Sequence, residues 1–143
     1  MEKALWIDKF CTVYSELGTD NLDSLSAIYH SEVEFIDPMH RVSGRESLLA
    51  YFKQSYLNVI SCQFIITDVI AGNDQAAVYW TMTFSHNKLN RQQPISIDGH
   101  SRLEEKDGLV IYHRDYFDVG AMVYQHIPVV GTLVKLINNR VGQ

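Results

Sequence analysis

Basic residues are scarce in this chain. Twelve lysines and arginines face 17 aspartates and glutamates, a formal net charge of −5 over 143 residues. They are scattered, as at Lys3, Lys9, Arg41, Arg45 and Lys53. No basic stripe follows a phosphate backbone, which argues against nucleic-acid binding. Cysteine is nearly absent. Cys11 falls in a helical pattern and Cys62 at the start of a strand pattern, so two buried thiols are expected, with a disulfide as the alternative. There is no CxxC, and the six histidines show no HxH or HExxH spacing, so no metal site is expected. Long apolar runs are missing too. The longest, near the C-terminus, is broken by Pro128 and Gly131 and is too short to span a bilayer. The start, Met1-Glu2-Lys3-Ala4-Leu5-Trp6, carries acid early and lacks the apolar stretch of a signal peptide, so a cytoplasmic protein is expected.

What the chain does have is a 46% apolar composition, enough for one domain with one core. Leu5, Trp6, Phe10, Val13, Tyr14 and Leu17 have helical spacing, with Gly18 as a stop. Asp20 or Asn21 can cap a second short helix bearing Leu22, Leu25, Ile28 and Tyr29. Val33–Ile36 reads as a short strand ended by Asp37-Pro38, because proline pushes the preceding residue out of the helical region. Ser43 and Glu46 have capping-box spacing ahead of a helix with Leu48, Leu49, Phe52, Tyr56 and Leu57 on its apolar side.

From Cys62 onward the period becomes strand-like. Four runs follow: Cys62–Ala71, Ala76–His86, Ile95–Glu105 and Leu109–Asp118. The turns between them include Gly72-Asn73-Asp74 and Lys106-Asp107-Gly108, so consecutive antiparallel strands are expected. A last apolar segment, Gly120 to Val141, reads as helical turns, a Pro-Gly break and a final helix. Helices grouped before a meander give an α+β domain with helices on one face of a curved sheet.

Two stretches carry a family likeness. One runs from Asn21-Leu22-Asp23 through Val33-Glu34-Phe35-Ile36-Asp37-Pro38 to Ser43-Gly44-Arg45. The other runs from Lys106-Asp107-Gly108 to Arg114-Asp115-Tyr116-Phe117-Asp118. In this order they resemble the nuclear-transport-factor-2-like superfamily, in its SnoaL-like and ketosteroid-isomerase-like branch. The resemblance implies a cone-shaped fold over 1–120, a C-terminal helical extension over 121–143, and a small-molecule pocket inside a single domain. It does not fix function, since this superfamily hosts isomerases, cyclases, hydrolases and binding domains.

The resemblance also suggests site residues. Asp37 stands where the isomerases hold the base that moves a proton beside a carbonyl. Its plainer reading is a strand-ending turn residue. Asp115 stands where epoxide hydrolases hold a catalytic carboxylate. Alternation puts His113, Asp115 and Phe117 on one face of the strand, where His113 can share a proton with Asp115 or orient a water. The plainer reading makes Asp115 a partner for Arg114, Arg102 or a helix end. His100 falls near the isomerases' second oxyanion donor. Alternation alone instead places it with Ser96, Asp98, Arg102 and Glu104 on a solvated face.

Two departures limit the likeness. The isomerase tyrosine falls on Val13, with Tyr14 one residue away. The Arg-x-Asp pair of limonene-type epoxide hydrolases is absent from Trp80-Thr81-Met82-Thr83-Phe84. Tyr14, Met39, Phe52, Tyr56, Trp80, Met82 and Phe117 are expected as apolar wall. The expected function is cofactor-independent acid/base chemistry on a small apolar molecule with an oxygen function. The alternative is non-catalytic binding of a lipid-like or terpenoid ligand. A homodimer is expected, paired through one sheet face.

Overall fold

The computed structural model describes residues 4–122 and 136–142. Helix α1 (Leu5–Glu16) buries Trp6, Ile7, Phe10 and Tyr14 along one stripe. Asn21 closes its exit: the Asn21 carboxamide oxygen accepts the Gly18 N–H at 2.7 Å and its nitrogen donates to the Glu16 carbonyl at 2.9 Å. The expected second helix is a 3-10 turn over Leu22–Ala27, and Asn21 makes no side-chain cap to it. Tyr29, expected on that helix, instead opens strand β1 (Tyr29–Ile36), which is longer than the Val33–Ile36 read from the sequence.

A short strand, β2 (Arg41–Ser43), was not foreseen. It takes Ser43 out of its capping role. The Ser43 hydroxyl donates to Glu34 at 2.8 Å, and helix α2 (Arg45–Ser55) starts after Gly44 with no side-chain cap. Strands β3 (Val59–Ala71), β4 (Gln75–His86), β5 (Ile95–Lys106) and β6 (Leu109–Phe117) follow as a meander. The turn between β5 and β6 uses Asp107 at φ 57° and Gly108 at φ 80°, the paired left-handed conformation of a tight hairpin. A short helix α3 (Val119–Met122) ends the first described stretch, and 136–141 are helical. The remaining part of the apolar C-terminal segment, 123–135, lies outside the described residues, as does part of the expected 121–143 extension.

The six strands form one curved, open sheet in the order β2-β1-β6-β5-β4-β3. Every pairing is antiparallel except β1 with β6, which is parallel and brings Phe35 beside His113. Helices α1 and α2 pack on the inner face. Alternation along β4 sends Ala76, Val78, Trp80, Met82 and Phe84 inward. Along β5 it sends Ile95, Ile97, Ser101 and Leu103 inward. Gly99 interrupts that inner row. A Cβ there would lie 2.5 Å from the Trp80 ring and 2.7 Å from the Tyr116 carbonyl. The missing side chain lets the Trp80 indole lie across β5.

Candidate functional site

The inner sheet face and α2 enclose a cavity of about 500 Å³. Its wall is mainly apolar: Phe35 from β1, Phe52 and Tyr56 from α2 and its end, Cys62 and Phe64 from β3, Met82 and Phe84 from β4, and Phe117 from β6. Burial of such rings and chains stabilises by roughly 1.5–3 kcal/mol each, which holds the wall firm around a few polar groups. Those groups are Asp115, the Asp37–His40–Tyr51 cluster, Ser55, and the pair His86 and Lys88.

Asp115 is the end point of two hydrogen-bonded arms. In the first, the Trp80 Nε1–H donates to Ser101 Oγ at 3.0 Å. An indole N–H can only donate, so the Ser101 hydroxyl turns its own proton to Asp115 Oδ1, 2.6 Å away. In the second, His113 Nε2 lies 2.6 Å from the same Oδ1 and Nδ1 lies 2.8 Å from the Tyr29 hydroxyl. A carboxylate accepts from Nε2–H, which leaves Nδ1 of the neutral ring to accept from Tyr29. The Tyr29 oxygen accepts in turn from Tyr14 at 2.6 Å. Burial, more than any neighbouring charge, raises both tyrosines well above the ordinary phenol value, so they stay protonated donors. His113 is fully buried and Phe35 packs edge-on to its ring at 4.8 Å. Among the described residues nothing is hydrogen-bonded to Asp115 Oδ2. The arms fix one oxygen and leave the other to the cavity.

Asp37 is held differently. Its Oδ1 accepts the backbone N–H groups of Met39 at 2.8 Å and His40 at 2.7 Å. The Tyr51 hydroxyl donates to Oδ2 through a short hydrogen bond. His40 Nδ1 lies 3.1 Å from the same phenol oxygen. Burial first, and then Asp37, raise Tyr51 above its ordinary value. Asp37 therefore lines the cavity with both oxygens occupied. Its strand-ending turn reading holds, and it also anchors Tyr51.

At the other end of α2, the Tyr56 hydroxyl has one hydrogen-bond partner among the described residues, the Cys62 sulfur, a weak acceptor, at 3.6 Å. Burial raises Tyr56, with Cys62 adding to it, and burial raises the Cys62 thiol despite its bond to Tyr56. A thiol so placed is a poor nucleophile. Cys11 and Cys62 are both free of disulfides.

The structure thus brings Asp37, Asp115, Met39, Phe52, Tyr56, Met82 and Phe117 onto one cavity, and puts His113 directly behind Asp115. Three expectations need correction. His100 is not at the cavity: it lies on the outer face between Tyr79 at 4.9 Å and Tyr116 at 4.8 Å, as strand alternation alone requires. Tyr14 does not line the cavity, because its hydroxyl is turned into the Tyr29 chain. Trp80 sits behind the wall, packed on Phe64 and tied to Ser101. Sequence reasoning missed Tyr29, Ser101, Tyr51, His86 and Lys88 as site residues. The one available signal was that a buried phenol or hydroxyl needs a partner.

No group of three or more His, Cys, Asp or Glu side chains that could hold a metal occurs among the described residues. No helix among them is long and apolar enough to cross a membrane.

Comparison with known proteins agrees with this architecture. A protein with a ketosteroid-isomerase-like fold from Catenulispora acidiphila, solved in complex with trimethylamine, superposes with a TM-score of 0.73 at 11% identity, covering 87% of this chain and 93% of that one. A proposed SnoaL-like polyketide cyclase from Jannaschia gives 0.72 at 14% identity, covering 85% and 94%. TerC, co-crystallised with polyporic acid, gives 0.72 at 15% identity, covering 83% and 95%. No curated protein sequence matches significantly. Likeness at these identities shows the fold alone, the nuclear-transport-factor-2-like cone. The sequence profile of the SnoaL-like domain matches residues 10–113. By fold and by sequence, the chain belongs to the SnoaL-like family.

Proposed function

We propose that the cavity carries cofactor-independent acid/base chemistry on a small, mostly apolar substrate with a carbonyl, hydroxyl or epoxide function. The observation that carries this reading is Asp115, with one oxygen held by two donors and the other open to an apolar cavity. Oδ2 takes a proton from the carbon beside a substrate carbonyl. Negative charge then develops on the carbonyl oxygen. Tyr56, whose hydroxyl has only a sulfur acceptor, turns to donate to it. Returning the proton from Asp115 to another carbon gives isomerisation. Attack of the carbanion on a second carbonyl opens that carbonyl's π bond, and the alkoxide formed takes the proton back from Asp115, which gives cyclisation. His113, Tyr29, Ser101 and Trp80 act through Asp115 as positioning residues. The small molecules held by two of the structural neighbours support a ligand-binding cavity. The test is turnover of a panel of apolar carbonyl compounds by wild type and Asp115→Asn. Activity that survives the substitution removes Asp115 as base.

Asp37 favours a second reading. A carboxylate with both oxygens occupied orients rather than reacts, and a cavity of such groups would bind without chemistry. A ligand recovered unchanged, and still bound by Asp115→Asn, decides for that reading.

We also propose that two copies pair through the outer sheet face in the cytoplasm. Support comes from the stacked row Tyr79–His100–Tyr116 and from Ile65, which is 53% exposed opposite Thr81 on the same face. Sedimentation of wild type and Ile65→Glu tests it: a dimer that becomes a monomer supports the pairing, and a wild-type monomer ends it.

A further inference from the structure

Besides the Asp37–His40–Tyr51 cluster and Ser55, the cavity has polar groups at two places far apart along the sheet. The register sets Asp115 in the row of Ser101 and Val78, whereas His86 lies eight positions further along β4 (86 − 78 = 8). At that far end the chain leaves β4 and immediately bends back. The Lys88 backbone N–H donates to His86 Nδ1 at 3.0 Å. This fixes the tautomer: the neutral ring carries its proton on Nε2. His86 and Lys88 both line the cavity, so the rim offers an imidazole N–H and an ammonium group. Lys88 makes no ion pair among the described residues. Neither carboxylate of the cavity pairs with Lys88: both Asp37 oxygens are taken by Tyr51 and the Met39 and His40 amides, and Asp115 is anchored through Oδ1 by Ser101 and His113, eight positions from His86 along the sheet. Burial first, and then the neighbouring lysine, lower His86. An anion at this end of the cavity accepts from the His86 Nε2–H and pairs with the Lys88 ammonium.

We propose that the His86–Lys88 rim recognises an acidic group, of the carboxylate or sulfonate type, at one end of a ligand whose apolar body fills the cavity. The inference rests on the cavity being the ligand site, as the acid/base reading does, but not on Asp115 being a base. Its chemistry is specific: one end of the ligand is anionic, held at His86 and Lys88, and its body is apolar, matching the wall of the cavity.

Two dyes of the same skeleton test it. 1-Anilinonaphthalene-8-sulfonate carries the anion, and N-phenyl-1-naphthylamine lacks it. Fluorescence titration of the wild type is expected to give the tighter Kd for the anionic dye. Lys88→Gln weakens that dye by about 3- to 5-fold, the scale of a partly exposed charge pair, and leaves the neutral dye unchanged. Met82→Trp, which fills the cavity, abolishes binding of both. Equal affinities of the two dyes in wild type, equal losses in Lys88→Gln, or anionic binding that survives Met82→Trp each overturn the proposal. Such a failure leaves the turnover test of Asp115→Asn untouched, so the two readings fail separately.

Discussion

The Tyr29 hydroxyl lies 2.8 Å from His113 Nδ1, at the parallel junction of β1 and β6. That contact sets the tautomer of a fully buried histidine, and through it the donor that faces Asp115. Removing the hydroxyl by Tyr29→Phe leaves a buried ring nitrogen without its donor and strands the Tyr14 hydroxyl. A loss of about 1–3 kcal/mol in urea unfolding is expected, with the fold retained. A change under 0.5 kcal/mol would show that the chain adds little.

Asp115→Asn separates positioning from chemistry. The amide oxygen still accepts from Ser101 and His113, so the arms persist. The side chain no longer takes a proton. Stability is expected to change little, while turnover falls by about 100- to 10,000-fold, the usual weight of a general base. Asp115→Ala is the harsher contrast. It leaves His113 Nε2–H and the Ser101 hydroxyl unsatisfied and is expected to destabilise by a further 1–3 kcal/mol or so.

Gly99→Ala reaches the same carboxylate from the other side. The added methyl meets the Trp80 ring and the Tyr116 carbonyl, and the carbonyl belongs to backbone that cannot swing away. Trp80 must shift, so its N–H leaves Ser101. A cost of about 1–3 kcal/mol is expected from overpacking, with a changed indole emission spectrum as the direct readout. An unchanged spectrum would show that the indole does not depend on that gap.

Alkaline titration probes the buried phenols. Tyr14 and Tyr29 are raised in the folded chain above the ordinary value of 10.0, mainly by burial. In the unfolded chain they ionise near that value, so the folded state binds more protons above it. Their contribution to stability is full below pH 10 and is lost as the pH rises beyond it. Tyrosinate absorbance is expected to rise in two stages: exposed tyrosines first, then Tyr14 and Tyr29 together with loss of the far-ultraviolet helix signal. A single smooth rise with the fold intact would contradict their burial.

Much of the fold is legible because strand alternation and turn chemistry are local. The four meander strands, the Asp107-Gly108 hairpin and the inward face of His113, Asp115 and Phe117 follow from period and turn residues. β2 escapes such reading: three residues are too few to show a period. The site is less legible because it is made by pairings between distant segments. Nothing near Tyr29 in sequence announces His113, and nothing near Ser101 announces Trp80. His100 shows the converse. Likeness to the isomerases favoured it, and the simple alternation of β5 had already turned it outward. Asp37 lines the cavity, but its turn and Tyr51 occupy it.

The parallel pairing of β1 with β6 has a consequence for how the chain matures. Tyr29 finds its partner on β6, the last strand among the described residues, across roughly the whole length of the meander. Closing so long a loop costs entropy before any contact repays it, and non-local pairing of this kind slows folding. Until β6 docks, Asp115 and His113 remain in water and the hollow has no floor. A nascent chain halted at the β5–β6 hairpin would hold both helices and most of the sheet, yet would possess no binding chamber. Ligand affinity, read as a function of chain length on the ribosome, should therefore appear no earlier than the emergence of β6.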